Sequence, residues 1–515
     1  MAESLATRLK KKILEREIYH YLTRLAKTEN EKDYYEEFDL ILTGLSKLAG
    51  PNRTAMENVR QAFQRRHPLA DLSRLILQDR LSKVSREKLA KNFFCDWVME
   101  AKKREKLEEE SFKAPWFFVI SPTNTCNLNC YGCYAHEYPR GQGLSYASLD
   151  RILREAKSLG IRFLTISGGE PFYYKDKKTG KDLLDLAKEH NDMYFQVYTN
   201  GTLLDEERIE KLARLGNVVP AISLEGFKKE TDERRGKGVW EKINKARENL
   251  YRAGILQGFS VTVTRENAEM VSSDEFIDDL VDRHISFGWY FIYIPIGKKP
   301  ATELMPSPEQ RTRLRHKVWE WRSKKPIFVG DFWNDGPWTG GCIAGGRKYF
   351  HINSQGDIEP CVFVHFAVDN IFDLWNHGKG LREAIISPFF LSIRKKQLEK
   401  NDNWLTPCAI IDKPGILREV VKEFGAYPTH NGAKTIINGE IAEFLDNYAR
   451  HLDEITRPEF QKMLAGEYDS SVVKLSQVIK NNQKKNRKEF EIQSKGKNLA
   501  TVHRKDRRVR RDKSN

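Results

Sequence analysis

The stretch "WFFVISPTNTCNLNCYGCYA", from Trp116 to Ala135, joins an apolar run to a loop that carries three cysteines. The apolar run predicts a β-strand, because aromatic and β-branched residues favour extended backbone. Cys126, Cys130 and Cys133 then fall within eight residues, although the 515-residue chain has only seven cysteines. In a chain expected to be intracellular, clustered thiols indicate a metal site or catalysis rather than disulfides.

Five further apolar runs follow, and charged helical segments separate them. These runs are "FLTIS" (163–167), "YFQVY" (194–198), "VVPAIS" (218–223), "GFSVTVT" (258–264) and "WYFIYIPI" (289–296). Strands that alternate with helices predict βαβ units and a parallel sheet. Roughly 180 residues suit six such units, fewer than the eight of a closed barrel. We therefore expect an α/β fold, a partial (β/α)6 TIM-like barrel, with its chemistry in the loops after the strands.

Changes in composition and hydrophobic pattern divide the chain into five regions. They are a helical N-terminal region (1–112), the strand-rich core (113–300), a helix with a Gly- and aromatic-rich segment (301–412), a second helical region (413–479) and a basic tail (480–515). Cys95 lies in an apolar helical stretch and is expected to be a small core residue.

The net charge of +15 is concentrated in the tail. Residues 480–515 hold 14 Lys and Arg against 4 Asp and Glu, a net of +10, which leaves about +5 for the rest. With little apolar surface, the tail is predicted to be disordered. It is either a solvated end or a contact for an anionic membrane or nucleic acid.

No apolar run is long enough to span a bilayer, and the N-terminus lacks the apolar core of a signal peptide. We expect a cytoplasmic protein without a transmembrane segment. Peripheral membrane association through the tail is the alternative.

The cysteine spacing C-x3-C-x2-C suits some metal sites better than others. Structural zinc sites take four ligands, usually from paired C-x-x-C elements, and His136 follows Cys133 too closely to complete such a set. Three thiolates suit a [4Fe-4S] cluster with one iron left open, because iron–sulfur clusters are held by cysteine thiolates.

This cysteine loop resembles that of the radical S-adenosylmethionine (SAM) superfamily. Three later motifs agree in order: "SGGEP" (167–171) after the second strand, "YTNGT" (198–202) after the third and "SLEG" (223–226) after the fourth. Gly132 departs from the aromatic or His residue that is common before the third cysteine. The resemblance implies that the motifs contact SAM through Gly168, Gly169, Glu170, Pro171, Asn200, Ser223 and Glu225. It adds Arg235 as a weaker candidate for the SAM carboxylate.

After Gly297 the alternation is expected to stop, and "MPSPEQRTRLRHKVWEWRSKK" (305–325) predicts a helix with a proline-marked start. "GGCIAGGRKYFHINSQGDIEPC" (340–361) then predicts a β-hairpin between Cys342 and Cys361. Its C-x13-G-x4-C spacing resembles the start of a SPASM or twitch domain. The resemblance implies one auxiliary [4Fe-4S] cluster on Cys342, Cys361 and Cys408.

The fourth iron of that cluster is expected to be either open or bound by a non-cysteine group, with Asp412 and His365 as candidates. Just before Cys342, three polar residues are candidates for substrate contacts and equally for turn capping: Asp331, Asn334 and Asp335.

The resemblance implies an enzyme that reductively cleaves SAM to a 5′-deoxyadenosyl radical and modifies an unactivated carbon. A peptide, protein or lipid is the expected substrate, and ferredoxin or flavodoxin the expected electron donor; no catalytic side chain is assigned. The alternative is a non-catalytic iron–sulfur or zinc module that binds nucleic acid through its basic tail.

Overall fold

The computed structural model describes residues 16–48, 53–95, 100, 104, 107, 114–138, 143–297, 299–469 and 474–487. The six expected strands are present as Phe117–Ile120 (β1), Phe163–Ile166 (β2), Tyr194–Thr199 (β3), Val218–Leu224 (β4), Gly258–Val263 (β5) and Phe287–Ile292 (β6). Each pairs in parallel with the next along the chain. The predicted α/β fold with a partial (β/α)6 barrel is confirmed.

Helices cross over between these strands and bury one face against the sheet. They are Tyr146–Ser158 (α6), Leu183–Glu189 (α7), Glu206–Leu215 (α8), Lys228–Arg235 (α9), Val239–Arg252 (α10), Ala268–Val271 (α11) and Asp274–Asp282 (α12). Short 3-10 turns at Tyr134–Glu137 and Pro171–Tyr173 follow β1 and β2.

The expectation that the alternation stops after Gly297 is wrong. After a 3-10 turn at Thr302–Leu304, the predicted helix forms at Pro308–Lys324 (α13) with a Ser307 cap. It leads into a seventh strand, Phe328–Asp331 (β7), parallel to β6. The strand has only four residues and ends in Gly-Asp, so its sequence lacks a recognisable apolar run.

The predicted hairpin forms from His351–Ile352 (β8) and Asp357–Glu359 (β9), but it does not stand apart from the barrel. Strand β8 pairs in parallel with β1, so one sheet runs through ten of the described strands in the order β11-β9-β8-β1-β2-β3-β4-β5-β6-β7. Asp369–Asn370 (β11) is its edge, and Phe366–Ala367 (β10) pairs separately with Tyr427–Pro428 (β12).

The remaining helices surround this segment and extend the chain. They are Gly336–Thr339 (α14), Ile371–Asn376 (α15), Leu381–Ile385 (α16), Pro388–Lys400 (α17), Pro414–Phe424 (α18), Glu440–Ala465 (α19) and residues 475–487 (α20), with a 3-10 turn at Ala433–Ile436.

The N-terminal region is helical where it is described. It comprises residues 16–25 (α1), Glu31–Leu48 (α2), Arg53–Gln64 (α3), Pro68–Leu75 (α4) and Lys83–Lys88 (α5), with π-helical turns at Ile76–Arg80 and Leu89–Cys95. This region packs on the N-terminal ends of the strands: the buried Arg80 guanidinium donates to the Ile285 carbonyl at 2.8 Å. The opposite, C-terminal end of β1 leads into the first cysteine loop.

Three predictions fall on residues outside the described part. These are the helical character of residues 1–15, the core position of the Cys95 side chain and the disorder of the tail from residue 488 onward. For residues 480–487 the predicted disorder is wrong, because they form the second half of α20, which packs on the protein. Within the described residues, every helix is too short or too polar to serve as a membrane span.

Candidate functional site

The first cysteine loop leaves the C-terminal end of β1 and is held by the turn that follows β2. The backbone N–H of Gly169 donates to the Thr123 carbonyl, and that of Glu170 donates to the Thr125 carbonyl, each at 2.9 Å. The "SGGEP" turn and the cysteine loop therefore form a single backbone-bonded unit.

Both glycines of this turn are required by the loop itself. A Cβ on Gly168, whose φ is 113°, would lie 2.4 Å from the Thr123 oxygen. A Cβ on Gly169 would lie 2.3 Å from the Thr125 oxygen. At both glycines the group that approaches closely is the backbone of the cysteine loop.

The three thiols of this loop lie close enough to influence one another. Burial raises the pKa of Cys126 to about 11, and the neighbouring Cys130 and Cys133 add to that increase. Burial also raises the pKa of Cys133. The Cys126 sulfur accepts the Leu128 N–H at 3.4 Å, as a buried thiolate requires. A cation must offset the cost of ionising such thiols, and iron binding with proton release does so.

Among the described residues, no three His, Cys, Asp or Glu side chains stand close enough together to hold one metal ion. A cubane cluster has a different requirement, because each thiolate binds a separate iron. The thiols of the first loop, with their backbone N–H bond and close electrostatic contact, fit that group.

Glu170 and Asn200 brace the loop. The buried Glu170 carboxylate accepts the Thr199 hydroxyl at 2.7 Å and the Asn200 N–H at 2.8 Å. Burial raises the pKa of Glu170, and these hydrogen bonds offset part of the increase. The Asn200 side-chain amide donates to Asn127 at 2.8 Å and lies 3.8 Å from the Cys126 sulfur. These bonds give both residues a role in holding the loop, and their contacts with SAM stay a prediction. Pro171 is buried beside Glu170 and begins the 3-10 turn.

Glu225 and two arginines form a charged group beside the same loop. One oxygen of the buried Glu225 carboxylate accepts from Arg234 at 2.5 Å and from Arg235 at 2.6 Å. The other oxygen, Oε2, is buried with no hydrogen-bond partner among the described residues. Both guanidinium charges lower the pKa of Cys133, against the larger effect of burial. This charged group can bind a zwitterionic ligand, because the arginines attract a carboxylate and Oε2 can accept a hydrogen bond from an ammonium or hydroxyl group.

Arg234 is a residue that sequence reasoning missed. The motif ended at Gly226, and an Arg eight residues further on a charged helix gave no signal of its own. Ser223 lies as expected on the strand end, where its hydroxyl contacts that of Ser260 at 3.1 Å.

The second cysteine set forms around the hairpin. Cys361 is buried, and its sulfur lies 2.8 Å from the Tyr349 hydroxyl. Burial raises the pKa of Cys361 to about 12 and that of Cys408 well above its ordinary value, and Cys342 contributes to both shifts. Cys342 is thus in electrostatic contact with both of the other thiols predicted from the sequence.

Asp412 is occupied by other contacts, whereas His365 keeps one ring nitrogen, Nε2, buried and without a hydrogen-bond partner among the described residues. His365 therefore stays a candidate for the fourth ligand. The Asp412 carboxylate forms a fully buried bidentate pair with Arg311, at 2.6 and 3.1 Å, and accepts the Cys408 N–H at 2.9 Å. The Nδ1 atom of His365 bonds the Tyr138 hydroxyl, and burial lowers the His365 pKa well below its ordinary value. Asp412 therefore shapes the Cys408 loop.

The polar residues before Cys342 build its turn. Asn334 donates to the Asp331 carboxylate at 2.7 Å and accepts from Arg311 at 2.8 Å. The Asp335 carboxylate accepts from the Arg322 guanidinium at 2.7 Å. Burial, followed by the Asp335 charge, raises the pKa of Asp331 to about 6. Of the two expected roles, the contacts match turn capping.

Tyr134 lies between the two cysteine sets. Its hydroxyl contacts the Ser167 hydroxyl at 3.2 Å, and its ring centroid lies 5.3 Å from that of Phe363. Burial raises its pKa, and Cys133 and Cys361, one from each set, both contribute. Tyr134 thus has electrostatic contact with one cysteine of each set, and aromatic rings pack beside it.

Residues 120–277 match the family model described as the Radical SAM superfamily. The Fe-coproporphyrin III synthase of Methanosarcina barkeri is 30% identical over 200 residues, 38% of this chain and 48% of that protein. The PqqA peptide cyclase of Gluconobacter oxydans is 26% identical over 302 residues, 54% of this chain and 79% of the cyclase. The chain thus spans about half the length of the first relative. The structure of native anSMEcpe with bound AdoMet superposes with a TM-score of 0.47 at 18% identity, over 68% of this chain and 99% of that one.

Proposed function

We propose, from the radical SAM domain that residues 120–277 carry, that this chain is an enzyme that uses SAM to modify an unactivated carbon of a peptide. When bound, a [4Fe-4S] cluster with SAM supplies the reductive cleavage that releases a 5′-deoxyadenosyl radical, chemistry that belongs to the cofactor. The observation that carries the proposal is the unit formed by the cysteine loop, the "SGGEP" turn and the Glu225–arginine group.

Each part of this unit has a task in the proposal. Cys126, Cys130 and Cys133 hold the cluster, and Gly168 and Gly169 fix their loop. Arg234 and Arg235 hold the SAM carboxylate as charge-assisted donors, and the free Glu225 oxygen accepts from a SAM donor group. Pro171 and Ser223 complete the cofactor contacts.

The auxiliary set gives the proposal its second redox centre. We assign Cys342, Cys361 and Cys408 to one further [4Fe-4S] cluster. Tyr134, placed between the two sets, lies where a substrate radical and the auxiliary cluster would meet. The auxiliary cluster would remove an electron from the product radical.

A peptide is the substrate class that we favour. One relative is named for a peptide, the PqqA peptide cyclase, and its match covers 79% of its length. The aromatic surface between the cysteine sets includes Tyr134, Phe291 and Phe363, with 6.2 Å between the Phe291 and Phe363 ring centroids. Such rings supply apolar contact area to a side chain at low entropic cost.

The test is SAM cleavage by the anaerobically reconstituted full chain with a chemical reductant. We expect slow release of 5′-deoxyadenosine without substrate, abolished by Cys130→Ala and retained by Cys342→Ala. A mass-spectrometric search of peptides from cell extract then identifies the modified molecule. Equal loss in both variants contradicts separate roles for the two sets, and release by Cys130→Ala contradicts the proposal.

A further inference from the structure

The C-terminal helix α20 is fixed to the backbone turn that leads into the auxiliary site. Asn482 donates its side-chain amide to the Trp338 carbonyl at 3.2 Å, and Asn486 donates to the Gly340 carbonyl at 2.9 Å. Cys342 follows two residues after Gly340. The helix therefore lies against the segment that positions an auxiliary ligand.

The apolar side chains of this helix already pack against other residues of the protein. Leu475 and Ile479 are 2% and 0% exposed and pack with Trp404, Phe460 and Met463. Residues 475, 479, 482 and 486 thus form one face that contacts the protein. A helix that lies in a membrane interface needs its apolar face free for the lipid, and α20 has none to offer.

The opposite face of α20 carries positive charge only. Residues 475–487 contain no Asp or Glu. Four exposed cations of α20 have no ion pair with any residue in the described ranges: Lys480, Lys484, Lys485 and Arg487. Lys480, Lys484 and Arg487 lie opposite the packed face, and Lys485 lies on the flank of the helix beside them. The sequence continues this charge, since residues 488–515 hold 10 Lys and Arg against 4 Asp and Glu, a net of +6.

Resting on the proposed function, we propose that this cationic face of α20 is the docking surface for an acidic one-electron carrier protein beside the auxiliary site. The proposed chemistry requires electrons from outside the chain, and α20 marks the surface next to the auxiliary turn. The face presents Lys, Arg, Asn and Gln without the aromatic rings on which single-stranded nucleic acid stacks. An acidic protein surface is the partner that such a face matches.

The docking step moves one electron and makes no covalent bond. The reduced carrier loses one electron, the protein's cluster gains it, and the oxidised carrier leaves. Opposite charges steer such encounters and raise association rates by roughly 10- to 1,000-fold at low salt.

The experiment compares three full-length reconstituted proteins: the parent, a test variant and a control variant. The test variant neutralises the cationic face with K480Q, K484Q, K485Q and R487Q. The control variant removes the same number of exposed charges far from α20, in the N-terminal region, α7 and α10, with K27Q, K83Q, K188Q and K242Q. Reduced flavodoxin, an acidic carrier, and photoreduced deazaflavin, a small reductant, are each mixed anaerobically with every protein while cluster bleaching is followed.

With flavodoxin in low salt, the test variant should be reduced about tenfold or more slowly than the parent and control. The difference should disappear near 1 M salt, where the Debye length is about 3 Å. With deazaflavin all three should be reduced alike. Equal flavodoxin rates in low salt, with normal deazaflavin reduction, overturn the docking surface alone. Failure of deazaflavin to reduce any of the three overturns the proposed function instead.

Anionic vesicles and a single-stranded oligonucleotide are run in parallel with the same proteins. Loss of vesicle or oligonucleotide binding in the test variant, with unchanged flavodoxin rates, assigns the face to that partner and overturns the inference.

Discussion

The substitution Gly169→Ala tests the link between the "SGGEP" turn and the first cysteine loop. An added Cβ would lie 2.3 Å from the Thr125 oxygen and 2.6 Å from the Asn124 carbonyl carbon, both backbone atoms. Ordinary contacts begin near 3.4 Å, so the loop must move by about 1 Å, and overpacking of this kind costs about 1–3 kcal/mol. The shift also lengthens the bonds from Gly169 to Thr123 and from Glu170 to Thr125, now 2.9 Å each.

The assay is iron content after anaerobic reconstitution, with thermal unfolding of the apoprotein alongside. We expect the parent to bind about eight irons, four per [4Fe-4S] cluster, and the variant about four, because only the auxiliary site remains intact. The variant should release no 5′-deoxyadenosine, and its apoprotein should unfold at a lower temperature.

Gly415→Ala is the matched control. No atom lies within 4 Å of the position that an added Cβ would occupy there, and Gly415 stands in the first turn of α18. Alanine should leave the iron content unchanged and add at most about 1 kcal/mol of helix stability. Eight irons and parental SAM cleavage in Gly169→Ala would refute the argument that the turn holds the loop.

Three further outcomes are expected. Changing Cys126, Cys130 and Cys133 together to Ala should halve the bound iron, and stoichiometric zinc in the parent would contradict the cluster assignment. Asp412→Asn should lower the free energy of unfolding by about 3–5 kcal/mol, because Arg311 would stay buried without its partner; a chemical denaturation midpoint equal to the parent's would count against this. Burial, followed by the Asp335 charge, raises the pKa of Asp331 to about 6 in the folded protein. The protonated carboxyl therefore adds its whole contribution to the free energy of unfolding at pH values below the pKa of Asp331 in the unfolded chain, and this contribution is lost as the pH rises through 6. Unfolding from pH 4 to 8 should therefore show the parent losing more stability than Asp331→Asn, and parallel curves would contradict the shift.

The sequence predicted the barrel because its strands carry a local signal. Each of the six runs is apolar on a scale of five to eight residues, and turn residues follow it. Strand β7 was not predicted, because its four residues end in Gly330 and Asp331 and show no periodicity. They form a strand through their pairing with β6. The pairing of β8 with β1 was also invisible, because two residues that join strands more than 200 positions apart leave no pattern in either segment.

The candidate site was predictable in its composition and less so in its roles. Cysteine spacing named five of the thiols, the family resemblance added Cys408, and motif order named the strand ends. The role of a side chain depends on the atoms that it contacts, and distant segments often supply them: Glu170 bonds Thr199 and Asn200, and Asp412 bonds Arg311 across 101 positions. Arg234 is only nine residues from Glu225, but nothing in its charged helix distinguished it from the neighbouring charges.

The two cysteine sets share one physical feature, since other segments hold the loops that carry them. The first loop is held by the turn after β2, the Cys408 loop by Arg311 on α13, and the turn before Cys342 by Asn482 and Asn486 on α20. Buried thiols with raised pKa values stay protonated and do little to stabilise their loops before iron binds. Contacts from other segments must therefore hold the loops in the conformation that binds iron. Removing α20 should therefore weaken the auxiliary site while leaving the first loop, whose supports all lie within the barrel, able to bind its cluster.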